Sequence, residues 1–157
     1  VDGPALAGGC EIVCACDLVV ASTNASFGIP EVKRSLVAGA GGLFRLPRVL
    51  PRNVALELAM TGDPISAARA HHFGFVNVLC DPGRAVAEAV ALAERICANA
   101  PLAVRASRQV LLESLWVDEE RAWEITAKAM ASVMASEDFA EGPRAFIEKR
   151  APQWKGR

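Results

Sequence analysis

The stretch Leu6-Ala7-Gly8-Gly9-Cys10-Glu11-Ile12-Val13-Cys14-Ala15-Cys16-Asp17-Leu18-Val19-Val20-Ala21 decides how this chain is read. Residues 10–17 predict a short apolar helix, and residues 18–21 form a β-branched run suited to a buried strand. The pair Gly8-Gly9 lets the backbone approach a ligand closely and opens a helix whose first N–H groups lack partners. Into these surroundings falls Glu11. From Gly3 to Pro30 the only carboxylates are Glu11 and Asp17, and no Lys or Arg occurs. Carboxylates are seldom buried in such company unless they are paired or functional, because desolvating the charge costs several kcal/mol. Amide donors and a carboxylate on one helical turn can steady an anion while a proton moves.

On either side of this stretch the chain alternates. Residues 1–9 read as a turn-rich lead and 22–31 as a loop in which Phe27-Gly28-Ile29-Pro30 presents Glu31. Val37-Ala38-Gly39-Ala40-Gly41-Gly42 is a glycine-rich turn into a helix near 43–50, and Pro51 stops it before a second helix over 53–60. Thr61-Gly62-Asp63-Pro64 is a turn. Ser66 reads as the N-cap of a helix over 67–73, Gly74 as its stop, and 75–79 as a last strand. Beyond that the pattern is helical, over about 84–98, 102–114, 118–135 and 138–149, with Pro101 and then residues 137–143 as joints. Trp123, Ala127, Met130 and Met134 recur at spacings of three and four, a stripe that reads as core or subunit interface. The fold class is α/β, with strands and helices mixed in 1–80 and helices alone in 81–157.

Composition narrows the functions. The chain has 157 residues, 52% hydrophobic and 22% charged, which is the make-up of one globular domain. A formal net charge of −1 supplies no basic excess for nucleic acid or an anionic membrane. The longest apolar run is broken by Asp17, so no transmembrane span is expected. Cysteines 10, 14, 16, 80 and 97 have no zinc spacing and an odd count; they read as apolar filler in a reducing compartment. His71 and His72 are adjacent, point apart on a helix, and read as helix-end residues rather than metal ligands. The opening Val1-Asp2-Gly3-Pro4, without Met, looks like the middle of a protein.

Three elements carry the candidate chemistry: Gly8-Gly9-Cys10-Glu11, Phe27-Gly28-Ile29-Pro30-Glu31, and Gly39-Ala40-Gly41-Gly42. Two carboxylates flanked by flexible backbone suit a site that holds water between them. Adding water needs one group to take a proton and another to give one, and paired acids in different surroundings can do both. Two unrelated structural glutamates are the alternative, with Glu31 as a solvated charge at a helix start.

These elements resemble the crotonase (enoyl-CoA hydratase/isomerase) superfamily. The resemblance extends through Ala15-Cys16-Asp17, Arg45-Leu46, Thr61-Gly62-Asp63-Pro64-Ile65-Ser66-Ala67, Gly74-x-Val76-Asn77 and Glu141-Gly142-x-x-Ala145-Phe146-x-Glu148-Lys149-Arg150. It implies a spiral of ββα units followed by helices that build a homo-trimer, commonly doubled to a hexamer. Residues 1–80 would be the C-terminal part of the spiral core and 81–157 a helical region for trimerisation and CoA contact. The Gly8 amide matches one half of an oxyanion hole, and Gly39 matches the amide that holds a water. Glu11 matches the acid that activates this water, and Glu31 the acid that protonates C2. Lys149 and Met130 match positions at the adenosine end of CoA, although a solvated helix end is the alternative for Lys149. Ala38 stands where many hydratases have Pro, and Met130 where some members place an aromatic residue.

The implied activity is hydration of the 2,3 double bond of a trans-2-enoyl-CoA. Coenzyme A belongs to the substrate, no separate cofactor is expected, and the expected compartment is the cytoplasm. The family's N-terminal half, with the other oxyanion-hole amide, is expected to be missing, leaving residues 1–157 inactive alone. A Δ3–Δ2 enoyl-CoA isomerase is the nearest alternative chemistry, and retention of both glutamates favours hydration over it. The closing residues look like a branch that includes carnitinyl-CoA hydratases. A non-catalytic assembly protein on the same fold is the alternative outside catalysis.

Overall fold

A computed structural model describes residues 1–157, which form two compact units, Val1–Ala91 and Leu92–Arg157. All strands belong to the first. Strands β1 (Pro4–Leu6), β3 (Ser26–Gly28) and β4 (Ile65–Ser66) make a sheet in the order β1-β3-β4, and β2 (Val20–Ser22) pairs with β5 (Val78–Cys80). β1 runs parallel to β3 with Ala5 opposite Phe27, β4 runs antiparallel to β3, and β2 and β5 are parallel. Parallel neighbours need crossovers, and the helices α1 (Gly8–Val13), α2 (Gly42–Val49), α3 (Arg52–Thr61) and α4 (Ala67–His72) lie in the connections.

The core of this unit sits where those pieces meet. Phe27, at the centre of the middle strand, is fully buried and meets Phe75 edge-on at 5.1 Å. Leu46 of α2, Leu58 of α3 and Val76 close around the same core. Gly28 lets β3 lie close to the turn before β4: a Cβ there would stand 3.0 Å from the Pro64 Cα, tighter than ordinary contact. The expected cap is present, with the Arg69 N–H donating to Ser66 Oγ at 3.2 Å, and Gly62 ends α3 at φ 68°.

The second unit is helical: α6 (Pro101–Ser114) packs on α7 (Glu119–Met134), and α8 (Glu137–Glu148) follows, with α5 (Ala85–Cys97) entering from the first unit. Side-chain caps start α7 at Asp118 and α8 at Ser136. The tail then folds back on α8. Buried Asp138 accepts the Lys155 and Gly156 N–H groups at 2.7 and 2.9 Å. Arg150 donates to both oxygens of Glu141, and Trp154 Nε1–H donates to the Ala98 carbonyl at 2.9 Å.

Several expectations need correction. The helix read over 10–17 begins at Gly8 and ends at Val13, because Ala15 and Cys16 donate to carbonyls three residues back and close it as turns. Segments 1–9 and 22–31, expected as turn and loop, contain the strands β1 and β3, and β4 falls where a turn meets a helix N-cap; two- and three-residue strands owe their state to sheet partners, not to pattern. The last strand starts at Val78, three residues later than expected. Pro143 is no joint: it lies inside α8, and the joint falls at 135–136. Trp123, Ala127, Met130 and Met134 are exposed and form no core in this chain, since α7 turns Ala122, Ile125, Ala129 and Val133 inward. Cys16 and Cys97 are likewise exposed rather than filler, whereas Cys10 is fully buried.

Candidate active site

Glu11 is delivered by a sharp passage from β1 into α1. Between them Ala7 adopts φ 51° and ψ −126°, a conformation an L-residue holds only when its surroundings impose it. Two hydrogen bonds do so: the Ala7 N–H donates to the Gly28 carbonyl at 2.9 Å, and the Ala7 carbonyl accepts the Glu11 N–H at 3.1 Å. The turn leaves Gly8 and Gly9 exposed as the first residues of α1, with no heavy atom within 4 Å of where a Cβ at Gly8 would stand. The first N–H groups of any helix lack partners within it, so this end of α1 presents donors to open space.

Glu11 itself is only 5% exposed. Its Oε1 accepts the Gly42 N–H at 2.9 Å, a bond from the first residue of α2 to a side chain on α1. A buried carboxylate beside a helix N-terminus is favourably placed, since the free amides and the helix dipole both favour negative charge. Gly42 favours this close approach: a Cβ there would stand 3.0 Å from Glu11 Cγ, 3.2 Å from Oε1 and 3.4 Å from Ile29 Cγ2.

Ile29 ties in the second glutamate. Buried Ile29 leads directly into the 3₁₀ helix Pro30–Arg34, whose first turn carries Glu31. The Glu31 backbone is pinned, because its carbonyl accepts the Leu36 N–H at 3.1 Å. Its side chain is not: Oε2 is buried and accepts no hydrogen bond from the protein. The two glutamates differ: Glu11 is held through a backbone amide, and Glu31 Oε2 has no donor from the protein.

Gly39 lies exposed in the turn before α2, with only the Val37 carbonyl, at 3.9 Å, near its would-be Cβ. The Glu11 side chain and Ile29, two residues before Glu31, both approach Gly42 at the end of the glycine turn, all within the first unit. Lys149 and Met130 belong to the second. Lys149 ends α8 in a left-handed conformation, φ 52°, and Met130 is an exposed residue of α7. Next to Glu11, the Cys10 thiol is pushed up by its hydrogen bond with Cys14 and by burial, and Cys14 is drawn down by the same bond and by the charge of Arg45.

Gly42 as the donor to Glu11 is the site residue that sequence reading missed. A glycine pair at a helix start flags close approach of something to the backbone, and what approaches is a side chain thirty-one residues earlier.

The chain resembles known proteins in sequence and fold. The enoyl-CoA hydratase/isomerase family description matches residues 1–157. The enoyl-CoA hydratase EchA19 of Mycobacterium tuberculosis is 42% identical over 157 residues, covering 100% of this chain and 59% of that protein. A carnitinyl-CoA dehydratase of Salmonella typhi is 39% identical, with 100% and 62% covered. The crystal structure of an enoyl-CoA hydratase from M. tuberculosis H37Rv superposes with a TM-score of 0.98 at 50% identity, over 100% of this chain and 62% of that one. The chain spans about 60% of the length of these relatives. These matches establish a partial span and do not confirm the C-terminal placement expected from the sequence. No helix is long and apolar enough to cross a membrane.

Proposed function

The chain belongs to the enoyl-CoA hydratase/isomerase family, and from that premise we propose that the whole protein adds water across the 2,3 double bond of a trans-2-enoyl-CoA thioester. The observation that carries this reading is the contrast between the carboxylates. Glu11 is held by the Gly42 amide, while buried Glu31 Oε2 lacks a protein donor. A site that must orient a water and also exchange a proton with carbon calls for one fixed acid and one whose partner arrives with the substrate.

In this mechanism Glu11 orients the water and takes its proton as the oxygen attacks C3, with the Gly39 amide holding the same water. Negative charge builds on the thioester oxygen. The Gly8 amide, at the open start of α1, is one donor to that oxygen, and donors preset where charge develops contribute more than donors that must reorganise. Glu31 then gives a proton to C2. Lys149 and Met130 would meet the adenosine end of CoA, and a homo-trimer or hexamer is the proposed assembly.

A second reading concerns direction and substrate. Relatives named carnitinyl-CoA dehydratase favour the reverse step, loss of water from a 3-hydroxyacyl thioester, at the same two acids. Incubating the whole protein with crotonyl-CoA in heavy-oxygen water tests the class of reaction. A hydratase yields 3-hydroxybutyryl-CoA labelled at the new hydroxyl. Unchanged crotonyl-CoA, or a product with only a shifted double bond, contradicts the proposal.

A further inference from the structure

Arg45, one turn into α2, is bonded twice to the glycine turn that precedes it. Its backbone N–H donates to the Gly41 carbonyl at 3.0 Å, and its Nη1 donates to the Ala40 carbonyl at 3.0 Å. Two successive carbonyls of a flexible turn are thereby fixed by one residue. The guanidinium lies where a side chain at Gly41 would begin: a Cβ there would stand 1.9 Å from Arg45 Nη1, with Gly41 at φ 108°. From its other neighbour, the Phe44 ring, the guanidinium carbon is 4.8 Å away. The Cys14 thiol, three residues beyond Glu11, is drawn down in part by the same positive charge.

The consequence follows from peptide geometry. The carbonyl of residue 41 and the N–H of residue 42 share one rigid plane and point in opposite directions. The helix's own bond from the Arg45 backbone N–H to the Gly41 carbonyl turns the Gly42 N–H the other way, toward Glu11 Oε1 at 2.9 Å, and the Arg45 side chain braces that arrangement from one residue earlier, at the Ala40 carbonyl. Gly39, Gly41 and Gly42 give the turn wide conformational freedom, so its orientation must be set from outside. We infer that Arg45 is a positioning residue for the reaction: it fixes the 39–42 turn so that the Gly42 amide holds Glu11 and the Gly39 amide keeps its place, without itself touching substrate. The inference rests on the hydration reading above for its catalytic consequence, and on geometry alone for the turn.

The test combines turnover with amide hydrogen exchange in the whole protein. Arg45→Met lowers kcat for crotonyl-CoA hydration by about 10–100-fold, since misplacements near 1 Å cost up to about 10², while KM stays within about threefold. Arg45→Lys, a cation without the planar fork, regains part of that loss. Exchange speeds up at the amides of residues 39–42, and that of Ala7 in the neighbouring turn is unchanged. Gly41→Ala displaces the guanidinium, so combining it with Arg45→Met costs less than the two losses added. Near-normal kcat in Arg45→Met overturns the inference, as does exchange that rises equally at Ala7 and throughout the first unit, which marks general destabilisation. If the unsubstituted protein does not hydrate crotonyl-CoA, the hydration reading falls, and unchanged exchange at 39–42 in Arg45→Met would then overturn the turn-holding role separately.

Discussion

Residues Val1–Ala91 bury Phe27, Leu46, Leu58 and Val76 almost completely, whereas among Leu92–Arg157 only Asp138 and Ala145 are buried. The first unit is held by apolar packing around a central strand, and the buried Glu11 carboxylate lies in its candidate site. The second is held at its end by a polar clasp, in which Asp138 and Glu141 grip the tail, while Trp123, Met130, Phe146 and Ile147 stay exposed. The lesson is about what each unit can tolerate. Packing around Phe27 fixes backbone positions well enough to aim amides at a carboxylate, and a surface clasp leaves an apolar face available for burial elsewhere.

The sharpest way to break this comparison is at the glutamates. In the whole protein, Glu11→Gln and Glu31→Gln each lower crotonyl-CoA hydration by about 10²–10⁴, the scale of general acid–base loss. Both should leave the urea midpoint close to that of the unsubstituted protein. A large stability change with intact turnover would reassign them as structural residues.

Next in size is the core. Leu58→Ala, at a fully buried position, should cost about 2–5 kcal/mol in urea unfolding. In the second unit the comparable lesion is polar: Asp138→Ala strands the Lys155 and Gly156 N–H groups and should cost about 1–3 kcal/mol. Phe146→Ala removes a side chain that is 85% exposed and should change stability by less than about 0.5 kcal/mol. A larger loss would show that another surface covers α8 in solution.

Acid separates the units without mutation. Arg150 and the Gln153 N–H hold the Glu141 carboxyl at about 2, below its ordinary value of 4.5. A depressed folded value means the clasp contributes fully above pH about 4.5 and loses that contribution as the pH falls toward about 2. The Trp154 indole N–H, bonded to Ala98, reports the release by NMR. Its signal should move in that window, and an unmoved signal at pH 2 would show that the tail is held by something other than Glu141.

Much of this was legible in the residues. The helices after residue 80 were readable to within a few positions because Pro101, Asp118 and a 3.6-residue period mark them locally. The short strands were not, since Ser26-Phe27-Gly28 gains its extended state from Ala5 and Ile65 across the sheet. At the site, the isolation of Glu11 among apolar residues signalled a special carboxylate, and the glycine pairs signalled close backbone approach. What no local pattern carried was the pairing itself: Gly42 meets Glu11 only because α2 packs against α1. The stripe on α7 had the right period but is not core within this chain, because Ala129 and Val133 are turned inward while Met130 and Met134 are exposed.

The account stands on Glu11 and Glu31 acting as one unit, and a double-mutant cycle measures that directly. Turnover of crotonyl-CoA is compared for the unsubstituted whole protein, Glu11→Gln, Glu31→Gln and the double variant. Groups that act together are strongly non-additive, so the double variant should be about as slow as the slower single one. A double variant whose loss equals the product of the two single losses would show two independent residues and contradict the shared site.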